Sequence, residues 1–163
     1  MVADLSPAMR ALYEGDRERA EQLLPPDEEL TVFEAAAFGR IDALRAILDA
    51  DPAQANALSP DGFTPLHLAC FAGGPAVTQL LVDRGADLER VSEAAIAQVR
   101  PLGTAAFSRD RDSAKILLEA GADPNGESAD GHAPVETARA NGDEDFVELL
   151  KSYGADAGFA GVG

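Results

Sequence analysis

A three-residue motif, Gly-Ala-Asp, recurs along this chain of 163 residues. It occupies residues 85–87, 121–123 and 154–156, at separations of 36 and 33 residues. An apolar pattern typical of one buried helix face precedes each copy at the same distance. Glycine after such a pattern is the usual left-handed residue that ends a helix. Repetition at this period restricts the fold to similar units that stack on one another.

Each unit also contains a second recurring element, which comes before the apolar pattern. It is a proline followed by an apolar residue and then by small residues, and it begins at Pro65, Pro101 and Pro134. Proline is favoured in the first turn of a helix, and small side chains let a neighbouring helix approach closely. We therefore expect a helix, a tight turn, a second helix and a loop in every unit. About 33 residues cannot bury two helices alone, so the units must form a solenoid.

The sequence from Asp61 to Cys70, Asp-Gly-Phe-Thr-Pro-Leu-His-Leu-Ala-Cys, is followed in phase by Leu80-Leu81 and by the Gly-Ala-Asp motif. In this pattern the segment resembles an ankyrin repeat. The resemblance implies an all-α ankyrin-repeat solenoid with hairpin-like loops. We expect a single domain at 1–157, with an N-terminal cap at about 6–25, repeats at about 28–60, 61–96, 97–129 and 130–157, and a flexible tail at 158–163.

The repeat at 97–129 departs from the family pattern. Arg100 replaces the threonine of the motif, Gly103 the histidine and Arg109 the glycine between the helices, and the loop before the repeat carries three extra residues. The loop conformation at 90–99 is therefore not predicted.

Composition excludes several classes of function. The formal charge of −16 and the pI near 4.3 argue against direct binding of nucleic acid or anionic membranes, because such binding depends on clustered Lys and Arg. The uncharged stretch at 62–82 is long enough to span a bilayer, but its prolines and glycines would break a helix. The single cysteine, Cys70, cannot form an intramolecular disulfide, and the N-terminus lacks a secretory pattern, so we expect a cytoplasmic protein.

No catalytic or metal-binding pattern stands out. The resemblance implies a structural role for His67, whose imidazole would bond to backbone or hydroxyl groups of adjacent repeats. Cys70 has no histidine placed to act as its base. The acidic clusters at 27–29 and 143–145 lie at predicted starts of a repeat and of a helix, where carboxylates are favourable. We expect no enzyme activity, no cofactor and no metal.

The resemblance implies that a partner protein binds in the concave groove, which loop tips and first helices form. We predict nine contact residues there: Phe38, Asp61, Phe63, Phe71, Ile96, Val99, Phe107, Asp130 and His132. The three phenylalanines Phe38, Phe71 and Phe107 could instead pack between repeats, since phenylalanine is usually a core residue. Exposure of these side chains separates the two interpretations.

Charge is concentrated at the two ends of the chain. Residues 1–30 and residues 130–163 each carry a formal charge of −5, whereas residues 97–129 carry −1. Acidic ends oppose end-to-end stacking, so we expect a monomer, and the overall negative potential would favour a basic partner. The alternative hypothesis is an acidic nucleic-acid mimic that occupies the basic site of a DNA- or RNA-binding protein.

Overall fold

The computed structural model describes residues 5–156. These residues form ten α-helices and contain no β strand, which confirms the predicted all-α class. The helices are α1 (Pro7–Tyr13), α2 (Arg17–Leu23), α3 (Val32–Ala37), α4 (Ile41–Ala50), α5 (Pro65–Leu68), α6 (Pro75–Asp83), α7 (Pro101–Ser108), α8 (Arg111–Glu119), α9 (Pro134–Ala140) and α10 (Glu144–Ser152). A π-helical turn, Ala69–Gly73, extends α5. The predicted tail at 158–163 lies outside the described residues.

The helices stack in two layers. Helices α3, α5, α7 and α9 contact one another in chain order and form the first layer. Helices α4, α6, α8 and α10 do the same in the second layer, and each packs against the first-layer helix that precedes it. This is the arrangement of a helical solenoid, in which each unit packs against its neighbours along the chain.

Polar side chains begin most of these helices. The Thr31 hydroxyl accepts a hydrogen bond from the backbone N–H of Glu34, and the Glu34 carboxylate accepts one from the N–H of Thr31, which completes a capping box. The other side chains that accept a hydrogen bond at a helix start are Ser6, Asp16, Thr64, Asp110 and Asp143. Each such cap is worth about 1 kcal/mol, which matters for helices of four to nine residues.

A residue with positive φ makes the turn before α4, α8 and α10, two positions ahead of each helix. Gly39 and Gly142 have φ values of 68° and 70°. Arg109 takes the corresponding position before α8 with a φ of 63°, and within residues 5–156 it is the one non-glycine residue with a positive φ. The turn therefore keeps its geometry without a glycine, and the left-handed conformation of Arg109 costs about 1–2 kcal/mol of folding free energy.

In two copies of the Gly-Ala-Asp motif, those at 85–87 and 154–156, an asparagine of the preceding unit binds the backbone. The Asn56 side chain donates a hydrogen bond to the Gly85 carbonyl at 3.1 Å and accepts one from the Asp87 N–H at 2.7 Å. Asn125 makes the same two bonds with Gly154 and Asp156, at 3.3 and 2.8 Å. These paired bonds fix the loops of neighbouring units in equal register.

Candidate functional site: the groove beside the first-layer helices

A groove of about 460 Å³ lies on the face formed by α5, α7 and α9 and by the loops that precede them. We refer to this surface as the groove. Six of the predicted contact residues line it: Phe63, Phe71, Ile96, Val99, Phe107 and His132. A volume of this size and a lining dominated by apolar side chains are typical of binding sites.

Two side chains in the groove are exposed although they are large and apolar. Ile96 is 83% exposed and Phe107 is 66% exposed, whereas the next most exposed large apolar residues among 5–156, Leu23 and Leu58, reach 39%. Both Ile96 and Phe107 line the groove. The structure therefore brings the largest apolar exposures of its described residues together at one place.

Aromatic rings form the inner wall of the groove. The half-buried Phe71 ring packs against Tyr13 of α1, with 5.8 Å between ring centroids and 51° between ring planes. Phe63 is 9% exposed and packs on the His67 ring, with 5.9 Å between centroids. Tyr13 was not among the predicted contact residues. The only signal for it was its position directly after the apolar Leu12, at the end of the first helix.

Hydrogen bonds hold the loop that carries Ile96. The Ser92 N–H donates to the Val99 carbonyl at 2.8 Å, and the Val99 N–H donates to the Ser92 hydroxyl at 3.0 Å. The loop is also bonded to both neighbouring loops. The Glu93 N–H donates to the Gly62 carbonyl, and the Ala129 N–H donates to the Gln98 carbonyl. Ile96 therefore projects from a fixed support.

His67 joins α5 to this loop. Its Nε2–H donates to the Val99 carbonyl at 2.8 Å, so Nδ1 accepts from the Thr64 hydroxyl at 2.7 Å. Burial lowers the pKa of His67 to about 4, and the imidazole stays neutral near pH 7. The structural role that the family resemblance implies for His67 agrees with these contacts.

Two turns of the same construction place Asp61 and Asp130 beside the groove. In the first, the Ser59 N–H donates to the Phe63 carbonyl at 2.8 Å and the Ser59 hydroxyl donates to Asp61. In the second, Ser128 makes the equivalent bonds to His132 and to Asp130. Neither aspartate is itself part of the groove lining. Both precede their helix, α5 or α9, by four residues and so occupy corresponding positions.

Each of these carboxylates shifts the pKa of a side chain in the groove wall. Burial, and then the nearby Asp61 carboxylate, raise the pKa of Tyr13. Asp130 lies 3.1 Å from Nδ1 of the exposed His132, and this contact raises the pKa of His132. The hydroxyl of Ser128, and then His132, lower the pKa of Asp130.

Phe38 corrects the sequence prediction. It is 5% exposed, lies in the hydrophobic core and is covered by the Arg17 guanidinium, 5.5 Å from the ring centroid. Phe38 directly precedes the left-handed Gly39, whereas Phe107 precedes Arg109 by two residues. One residue corresponds to a rotation of about 100° around a helix, so the two rings lie on different faces. Phe38 offers no surface to a ligand in the groove.

The described residues contain no cluster of three or more His, Cys, Asp or Glu side chains that could hold a metal ion. Cys70 is fully buried, and burial raises the pKa of its thiol, so the thiolate needed for nucleophilic attack is disfavoured. Within residues 5–156 no helix is both long and apolar enough to cross a bilayer.

Comparison with known proteins defines the class. A family model described as ankyrin repeats (3 copies) matches residues 7–92, more than half of the chain. The chain belongs to the ankyrin repeat family. Ankyrin repeats form a non-catalytic fold that generally mediates protein–protein interaction, and this helical solenoid has the family's architecture.

Individual relatives are longer proteins. "Ankyrin repeat and SAM domain-containing protein 6" of Rattus norvegicus is 30% identical over 123 residues, covering 74% of this chain and 14% of the relative. "Probable E3 ubiquitin-protein ligase XBOS31" of Oryza sativa subsp. japonica is 38% identical over a region that covers 58% of this chain and 21% of the relative. "Ankyrin repeat and SOCS box protein 16" of Mus musculus is 37% identical over a region that covers 58% of this chain and 22% of the relative. The matched region spans less than a quarter of each of these relatives.

Proposed function

We propose that this chain is a non-enzymatic binding module that holds a protein partner in the groove. The exposure of Phe107 and Ile96 beside the half-buried Phe71 carries the proposal. A contiguous apolar patch with charged residues around it marks an interaction site. An aromatic side chain in such a patch is the usual source of binding energy in an interface.

The charge of the chain favours a basic partner. Its formal charge of −16 creates a negative potential that accelerates the approach of a positively charged protein. Apolar contacts in the groove depend little on salt, whereas the approach is screened within about 10 Å at 0.1 M salt. We therefore expect salt to lower the association rate more than it raises the dissociation rate.

A photo-reactive amino acid at position 107 tests the groove directly. We expect irradiation in cell extract to cross-link a specific protein through Phe107, and the same reagent at Leu58, which is exposed outside the groove lining, to give background only. Phe107→Ala should then weaken binding of the captured protein by about 2 kcal/mol, roughly thirty-fold. Equal yields at both positions would reject the groove as the binding site.

The nucleic-acid mimic makes a different prediction. A mimic would hold its partner through many carboxylates, so its affinity would fall steeply with salt and Phe107→Ala would change it little. The groove proposal expects the reverse for both measurements. Titrations of the captured partner at 50 and 500 mM salt, with wild type and Phe107→Ala, separate the two functions.

We also propose that the chain is monomeric, since its two ends carry a formal charge of −5 each. Repulsion between such ends opposes the stacking of one solenoid on another. Light scattering after size exclusion should give the mass of one 17.0 kDa chain at micromolar concentration. A mass of twice that value would contradict the proposal.

A further inference from the structure

Three neighbouring loop tips stand beside the groove, and they alternate in chemistry. The first and third are the two equivalent turns that carry Asp61 and Asp130. Between them lies the longer loop closed by the Ser92–Val99 bond, with Ile96 exposed on it. The order along the groove edge is therefore acid, apolar, acid.

The acidic tips have no Lys or Arg of the described chain to neutralise them, and the basic group that contacts Asp130 is the exposed imidazole of His132. The ion pairs among residues 5–156 leave Asp61 and Asp130 without a Lys or Arg partner. Arg100 is the one Lys or Arg in the described groove lining, and its guanidinium is engaged with Glu89 at 3.2 Å and with the Glu127 carbonyl at 3.0 Å. A cationic group on a ligand would therefore find carboxylates available at both tips.

The stacking sets the distance between the acidic tips. Asp61 precedes α5 and Asp130 precedes α9, and α7 packs between these two helices. Neighbouring helices pack about 8–10 Å apart, so two steps correspond to about 16–20 Å. A chain extended as polyproline II advances about 3.1 Å per residue and places every third side chain on the same face, so about six residues span that distance with their first, middle and last side chains facing the groove.

From these observations we infer that the groove binds an extended segment of a protein in which a bulky apolar side chain lies midway between two Lys or Arg residues about six positions apart. The apolar side chain lies between Ile96 and Phe107, and the basic side chains reach Asp61 and Asp130. This inference rests on the proposed function, because it specifies which kind of partner segment the groove accepts.

A display library of random nine-residue peptides tests the inference without a known partner. Peptides are selected on the wild-type chain and counter-selected on Phe107→Ala, which removes the exposed ring. We expect enrichment of sequences with Leu, Ile, Met or Phe at the centre and Lys or Arg about three positions to each side. Enrichment of peptides that require Phe107 but lack the two basic residues would overturn the inference and leave the proposed function intact. If no enriched peptide depends on Phe107, the groove proposal itself fails.

Charge-neutralising variants test the role of the two tips. Asp61→Asn and Asp130→Asn keep a side-chain oxygen that can accept the hydrogen bond from the serine hydroxyl, so both turns are retained. For a labelled synthetic peptide Arg-Ser-Ser-Leu-Ser-Ser-Arg, flanked by Gly-Ser, we expect about a three-fold loss of affinity with each variant and about ten-fold with both, measured by fluorescence polarisation at 50 mM salt.

Asp112→Asn removes the same charge from the exposed surface of α8 and serves as the matched control. Because salt screens a remote surface charge, this variant should keep the affinity within about two-fold of wild type. An equal loss for Asp112→Asn and for the tip variants would show that total charge alone attracts the peptide. No loss of affinity with the tip variants would also overturn the inference, and so would equally tight binding of a second peptide in which Glu replaces both Arg residues.

Discussion

Two junctions of the first layer differ, although the same repeat builds both. Between α3 and the turn that extends α5, the backbones meet so closely that a Cβ on Gly73 would lie 1.9 Å from the Ala36 carbonyl oxygen. Phe38 is buried in this part of the core. Beside α7 the packing is open: a Cβ on Gly103 would have its nearest contact at 3.7 Å, and Phe107 is 66% exposed.

The difference shows how one junction of the stack can be closed while another leaves large apolar side chains exposed. The closed junction depends on small residues, since Ala36 and Gly73 leave no side-chain volume between the backbones. The open junction has a longer loop that holds Ile96 away from the core. Side-chain size and loop length, rather than the motif itself, decide which face a repeat leaves exposed.

Truncation of the two phenylalanines should give the largest contrast. Phe38→Ala removes a buried ring and should lower the free energy of unfolding by about 3–5 kcal/mol. Phe107→Ala removes a mostly exposed ring and should lower it by less than about 1 kcal/mol. Urea denaturation of both variants provides the measurement. Similar losses for the two would mean that Phe107 is packed as tightly as Phe38.

Alanine at the two glycines tests the backbone spacing itself. Gly73→Ala should destabilise the protein by about 3 kcal/mol, because the new methyl group meets the Ala36 carbonyl and the rigid stack must shift. Gly103→Ala should stabilise it by about 0.5–1 kcal/mol, because alanine is the better helix former and the site has room. Urea unfolding curves measured side by side give both values. A stable Gly73→Ala variant would show that the closed junction is looser than described.

Acid should destabilise the native state through His67, the buried histidine that joins α5 to the loop of the open junction. The pKa of His67 is lowered from 6.5 to about 4, so between these values the unfolded chain binds a proton that the native state does not. Stability then falls as the pH falls through this interval, and the contribution of His67 between pH 6.5 and 5 is about 2 kcal/mol.

Denaturation at pH 7 and at pH 5 measures this contribution as a difference between variants. His67→Gln should lose about 2 kcal/mol less than wild type on acidification, whereas His132→Gln, which removes a histidine of raised pKa, should not reduce the loss. Parallel pH profiles for wild type and His67→Gln would rule out His67 as the source.

The smallest expected effect concerns the turn that follows α7. Arg109→Gly relieves the left-handed strain at φ 63° and should stabilise the protein by about 1 kcal/mol. Arg109→Ala removes the same charge but keeps a Cβ, so it serves as the control and should bring no such gain. Melting temperatures with calorimetric enthalpies would measure both. Equal gains for glycine and alanine would point to charge instead of strain.

Much of the fold follows from local sequence, and the site follows only in part. The Pro-Leu and Gly-Ala-Asp segments predicted the helices and the loops because caps, proline and glycine act within a few residues. The structure brings Phe71, Ile96 and Phe107 together in one groove lining, and their contact with a partner stays a prediction. The groove prediction was wrong for Phe38, because a shift of one residue relative to the turn moves a side chain to another helix face. It missed Tyr13, which reaches Phe71 from α1.

The sequence by itself determined that this chain is an all-α ankyrin solenoid, since period, caps and turn residues are local properties that repeat. Only the tertiary structure decided where the stack stays open. The exposure of Phe107 and the burial of Phe38 depend on residues far along the chain, such as Arg17 above the Phe38 ring. Which side chains remain uncovered is settled by packing between units, and packing depends on the volumes that meet in three dimensions.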